Sequence, residues 1–379
     1  MIAYQPDGVH LATDTLVHFV SPDHHVKAVM TGPDGIASAS TPPNSTIVVF
    51  TSATLIKIFV GTQPGDTVIA GRRRTSLRTE PTQVTFDLAL HPQAAGYRLN
   101  VSCVAPISSV TKLIAVEIPA ACPWLTNASI SAWPVDAAGE PLNAPTVVRG
   151  ANLSLEPSYQ LQSYPFLTTF GNTHGITNVP ATAISPRWRE RYFAGFDALV
   201  TDFEVPLPHD EPVTMFSSSA DWAIHTLAYT PAGGFGPVRL DHVRHSGGGQ
   251  FAFDAAEMIR GIKNARYDAV TNEVRWDEDA TGVAATLINA RLTAGGTTIE
   301  LHGPNDGSHA IALPTLSATV VPDPAIDLFG QRIIDELPAD VVIERSYSGM
   351  LGDVDTNFDS TPVLWDPTFN GKVFEAHAP

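Results

Sequence analysis

Charge is scarce in this chain. Of 379 residues only 16% are Asp, Glu, Lys or Arg, and basic residues are the minority: 22 Lys+Arg against 39 Asp+Glu, a formal net charge of −17. A nucleic-acid binder needs a basic face for phosphates. The dense basic cluster is Arg72-Arg73-Arg74 with Arg78, which reads as a solvated turn. The same sign disfavours an anionic membrane surface. No apolar run approaches the ~18 residues of a membrane span, so no transmembrane segment is expected. The start, "MIAYQPDGVHLATD", lacks the basic and apolar regions of a signal peptide. That leaves a cytosolic protein or a mature exported form with a supplied Met.

Cysteine is nearly absent too. Cys103 and Cys122 are the only two, each closing a strand-like segment. No CxxC spacing exists and no His adjoins either thiol, which argues against a redox pair or metal ligands. A structural disulfide pinning two neighbouring strands is expected instead, and with it an oxidising compartment.

Catalytic signatures are missing as well. There is no G-x-S-x-G, and Ser246 and Ser348 precede glycine without a strand-to-helix elbow. There is no HExxH, and Gly247-Gly248-Gly249 leads to no G-K-[ST] phosphate cradle. His24 and His25 are adjacent, while His242 and His245 are three apart. On strands either spacing splits the rings between faces, so no shared metal site is expected.

What the chain does have is punctuation: 31 prolines and 28 glycines separate short alternating segments, and a 44% hydrophobic content suffices for packed cores. "LVHFV", "TIVVF", "LIKIFV", "QVTFDLAL", "YRLNVSC", "KLIAVEI" and "ASISAWPV" read as strands. So do "DALVTDFEV", "DWAIHTLAYT", "VRLDHVRH", "EVRWD", "ATLINARLT", "TTIELHG" and "VVIERSYS". Regular spacing between Gly/Pro/Asn/Asp turns predicts an all-β, multi-domain β-sandwich. One short helix is expected over 254–266, where Asp254 and Glu257 make a capping box ahead of Met258, Ile259 and Ile262.

The stretch "TGPDGIASAS" predicts a hairpin. Pro33 presets φ, Asp34 bonds the turn and Gly35 takes positive φ, between arms at Val26–Val29 and Ile36–Ala39. With Thr31, Asp34, Gly35, Pro42-Pro43 and Thr46 to Phe50, residues 9–70 resemble the carboxypeptidase regulatory-like, or transthyretin-like, domain. The step "GTQPGDTVIAG" continues the likeness to uncharacterised exported proteins of myxobacterial type. The resemblance implies a transthyretin-like sandwich at residues 1–62. An Ig-like sandwich with both cysteines at 63–157 and a larger β-rich domain at 158–379 complete the expected organisation.

Two further patterns bear on ligands. Asp353, Asp355, Asn357 and Asp359 alternate in "GDVDTNFDS", supplying the clustered oxygens that Ca²⁺ favours. Phe358 and Leu364 stand where an EF-hand loop has Gly and Glu, so a solvated, metal-free loop is the competing reading. In "RWRERYF", Trp188, Tyr192 and Phe193 either form a docking surface with the arginines or plug a core that the arginine stems cover. The function expected from all this is a non-catalytic exported structural or interaction protein of the cell surface or extracellular space. It would act in assembly, adhesion or display, through protein partners or self-assembly at exposed strand edges. The alternative is a carbohydrate-binding protein or carbohydrate-active enzyme with exposed Trp and a calcium-stabilised loop.

Overall fold

Period-two burial places the strands. Thr82–Leu88 buries Val84, Phe86 and Leu88, and Leu113–Ile118 buries Ile114, Val116 and Ile118 while exposing the residues between. The structure, a computed structural model, describes residues 1–3, 11–70, 80–120, 122, 125–143, 145–155, 158–164, 170–172, 174–194, 198–207, 213–215, 221–244, 251–315, 324–337, 341–345 and 369–379. Among these it is nearly all β, and the segments read as strands are strands, from Leu16–Val20 to Val341–Glu344.

One sheet dominates, with 13 strands. From one edge its order runs Ala198–Pro206, Ile184–Ala194, Trp222–Thr230, Val238–Arg244, Gly371–His377, Ala325–Leu337, Leu287–Ala294 and Thr297–Pro304. It continues through Leu55–Thr62, Ser45–Phe50 and Leu16–Val20 to Val26–Met30, with Val341–Glu344 attached to Ala325–Leu337. Leu55–Thr62 joins Thr297–Pro304 in parallel, with Phe59 beside His302, so four strands between residues 16 and 62 share a sheet with strands of 158–379. Both faces are covered. On one, Ile58, Leu301, Ile288, Phe374 and Trp188 pack with Ile262, Val274, Trp276 and Ile311 of a three-stranded sheet. On the other, Val17, Val49, Phe59 and Ile333 pack with Met1, Ala3, Val68 and Ala70.

Residues 82–161 make a separate sandwich with its own core. Leu113–Ile118, Thr82–Leu88 and Ser158–Leu161 form one sheet, and Thr146–Ala151, Ala128–Val135, Gly96–Val101 and Ile107–Ser109 the other. The Cys103–Cys122 disulfide is present, with Cα atoms 5.5 Å apart. It does not pin neighbouring strands, however. Cys103 follows Gly96–Val101 and Cys122 follows Leu113–Ile118, so the bond ties one sheet to the other.

Two local expectations are corrected. The turn at Gly32–Gly35 forms, with Gly35 N–H donating to Gly32 O at 2.9 Å and Ile36 N–H to Asp34 Oδ1 at 3.0 Å. Gly35 has φ +65°, and a Cβ there would lie 2.9 Å from Ala3 O. Yet Val26–Met30 pairs with Leu16–Val20, through the turn at Ser21–His25, whereas Ile36 and Ala37 are held by Ile2 and Met1. The backbone groups of Ile36 and Ala37 take the first residues of the chain as partners in place of the predicted arm. The helix over 254–266 shrinks to a 3-10 turn, Ala255–Glu257, which Asp254 caps by accepting from Ala256 N–H. Ile262–Asp268 is instead a strand on Glu273–Glu278, because cross-strand pairing and burial of Ile262 outweigh a helical run already weakened by Gly261.

Candidate functional site

The strand Ile184–Ala194 carries two chemistries on its two faces, and a single bulge decides which face gets which. Ile184 pairs with Thr230, but Arg187 pairs with Ala228, so the strand holds one extra residue between them. Ser185 sits in that bulge with φ +50°. Without the extra residue Arg187 would oppose Leu227, a core residue, and every later side chain would swap faces.

On the core-facing side lie Trp188, Glu190 and Tyr192, all buried. Glu190 is fully enclosed. Its Oε1 accepts from Trp188 Nε1–H at 2.7 Å and its Oε2 from the Tyr192 hydroxyl at 2.9 Å. His225, opposite Glu190 on the next strand, brings Nδ1 to 3.9 Å from Oε1 and lies parallel to the Trp188 ring. One strand further, His242 meets Glu336 at 3.1 Å and packs on Phe253. The His242 hydrogen bond holds the Glu336 carboxyl below its usual range. A buried carboxylate that accepts from an indole N–H and a phenol O–H within an aromatic shell has its hydrogen bonds satisfied and helps to fix the register of the strand.

The opposite side presents Arg187, Arg189 and Arg191. Arg187 and Arg189 share Glu204, at 3.0 and 3.9 Å, and Arg191 approaches Asp241 at 3.7 Å. Arg239, two residues before Asp241 on Val238–Arg244, meets it at 2.6 Å. Asp241 is completely buried and accepts a hydrogen bond from the Thr226 hydroxyl. Burial raises its pKa against the lowering effect of Arg239, Thr226 and Arg191. These arginines, with Ser185, Thr226, Ala228, Tyr229, Thr230 and Pro237, line a cavity of about 200 Å³.

The remaining feature is an open edge. Val26–Met30 ends the strand order and is paired on one side alone among the described residues. Val26 is 48% and Met30 50% exposed.

Several expected site residues fall elsewhere. Asp353, Asp355, Asn357 and Asp359 lie outside the described residues, as do Arg72 to Arg74, Arg78, Trp124, Trp365 and His245. Among the described residues no group of three or more His, Cys, Asp or Glu is placed to hold a metal ion, and no helix is long and apolar enough to cross a membrane. His24 and His25 are in a turn rather than on a strand. The rings of "RWRERYF" plug the core, as the covering alternative had it, and Trp133, Trp222 and Trp276 are buried too. Arg239, Thr226 and Ala228 were not foreseen as neighbours of the Arg187–Arg191 row. The signal was the alternation in "RWRER" and "VRLDHVR", which on strands flanking Trp222–Thr230 places arginines on one face. Comparison with protein-family models and with curated proteins gave no match to this chain.

Proposed function

We propose that this chain is a non-catalytic interaction protein of the cell surface or extracellular space that associates by strand addition at Val26–Met30. The observation that carries the reading is the open edge itself: a five-residue strand at the end of a 13-stranded sheet, without proline, bearing exposed Val26 and Met30. An edge strand offers unpaired N–H and C=O groups to an incoming strand, and a single lysine, Lys27, is its only charged protection. The disulfide supports the extracellular half of the reading, since such bonds persist in oxidising compartments. The likeness of residues 9–70 to the carboxypeptidase regulatory-like domain fits the same picture. A carbohydrate platform gains less support, because the described tryptophans are buried in cores.

Sedimentation of the full chain across the micromolar range tests the proposal. Assembly is expected, and Val26→Lys/Met30→Lys, which adds charge at two exposed positions, should leave a folded monomer. A wild-type chain that stays monomeric throughout, or a variant that assembles equally well, would sink the reading.

A further inference from the structure

We infer that the arginine-walled cavity beside the Ser185 bulge is a binding site for a small ligand bearing an oxyanion: a carboxylate, sulfate or phosphate. The inference is independent of the open edge and rests on four observations.

The register is the first. Arg187, Ala228 and Arg239 form one cross-strand row, so two arginines flank an alanine at two strand spacings, roughly 9–10 Å between their Cα atoms. Ala228 offers only a methyl group, and Thr226 beside it is turned to Asp241. The floor is therefore low and the walls are guanidinium groups. That spacing accommodates one tetrahedral or planar oxyanion between two forks, the geometry in which arginine binds such groups bidentately.

Charge is the second. Among the described side chains four guanidinium groups line or border the cavity against three carboxylates, Glu204, Asp241 and Glu375, the last the cross-strand neighbour of Arg239 and bonded to Gln331. Each guanidinium has five N–H donors. Arg187 meets Glu204 through Nη1, and Arg239 meets Asp241 through Nη2, while Arg239 Nε is buried with no acceptor among the described residues. Such a concentration is unusual in a chain of net charge −17.

Strain is the third. Ser185 lines the cavity mouth at φ +50°, a conformation that non-glycine residues rarely adopt and that gathers at ligand sites. Its bulge is what brings Arg187 to this face at all.

Size is the fourth. At about 200 Å³ the cavity is smaller than the ~300–1,000 Å³ of sites for drug-sized ligands. It suits one acidic head group and little more.

The experiment is calorimetric titration of the full chain at low ionic strength with three probes: inorganic phosphate, inorganic sulfate and glucuronate, with glucose as the neutral control. Saturable one-site binding of at least one anion, weakening with added salt, is expected. The preferred probe identifies the source: glucuronate an acidic sugar, sulfate a sulfated ligand, phosphate a phosphorylated one. Arg187→Gln/Arg239→Gln should weaken binding at least tenfold. Ala228→Phe, which keeps every charge and fills the floor, should do the same, so that loss of fold in one variant leaves the other decisive. Absence of saturable binding by all three anions, equal binding of glucose, or wild-type affinity in a folded variant would overturn the inference.

Discussion

Cutting the Cys103–Cys122 bond should loosen one sandwich and leave the large sheet untouched. The two cysteines are 19 residues apart and connect the two sheets of the 82–161 unit, so the bond restricts the unfolded chain and closes the native sandwich together. For a loop of that length the chain-entropy relation gives about 3 kcal/mol. Amide exchange measures such a loss locally, without requiring the whole chain to unfold in one step. Exchange from Gly96–Val101 and Ala128–Val135 should therefore accelerate roughly 100-fold on reduction, since 1.4 kcal/mol is a factor of ten. Leu287–Ala294 in the large sheet should keep its protection. Cys103→Ala/Cys122→Ala separates the cross-link from the sulfur atoms. Reduced wild type and double variant should exchange alike if the bond itself matters. Unchanged exchange after complete reduction would refute the reasoning, and equal acceleration in both units would show that they are not independent.

Two other predictions follow from buried charge. Lys57 and Glu300 meet at 3.1 Å with side chains only 4% and 7% exposed, and Arg291 adds a second contact to Glu300 at 3.1 Å. Glu300→Gln should destabilise by about 3–5 kcal/mol by removing the buried carboxylate that Lys57 and Arg291 share, while Lys57→Met/Glu300→Leu should recover most of that in urea titrations; equal losses would contradict it. His302, buried against Phe59 and bonded to Asn289 at 2.6 Å, has its pKa pushed down to about 3 by burial and then by Lys57. The unfolded state binds this proton below pH 6.5 and the folded state does not until about 3. Stability therefore drops as pH falls through that window, at up to about 1.4 kcal/mol per pH unit. His302→Gln should remove that slope relative to wild type, and parallel pH curves would argue against it.

The architecture was largely legible because alternation is a local signal. "KLIAVEI" and "QVTFDLAL" declare strand and buried face within seven or eight residues, and Leu113–Ile118 pairs with Thr82–Leu88. Partnership is not local. Nothing in "LIKIFV" announces that it will lie beside "TTIELHG", and nothing in "GIASAS" says that Met1 and Ile2 will occupy its backbone groups in place of Val26–Val29. The Asp254 cap was read correctly as a cap and wrongly as the start of a short helix running to 266, since a cap specifies a beginning and not a length. The cavity was hidden for a subtler reason. Its arginines follow the strand period, but the bulge at Ser185 shifts the phase, and a phase shift becomes visible only against the partner strand.

The parallel junction of Leu55–Thr62 with Thr297–Pro304 also sets a schedule for synthesis. The first strand leaves the ribosome about 240 residues ahead of the second, which at ~5–20 residues per second is tens of seconds. Throughout that interval the nascent chain presents an apolar strand, with Ile56, Ile58 and Phe59, that has Ser45–Phe50 on one side and lacks its lasting neighbour on the other. The 82–161 sandwich, whose core is made of its own residues, can close during the wait. Maturation of this protein is therefore expected to run from the middle outwards, its two ends meeting last.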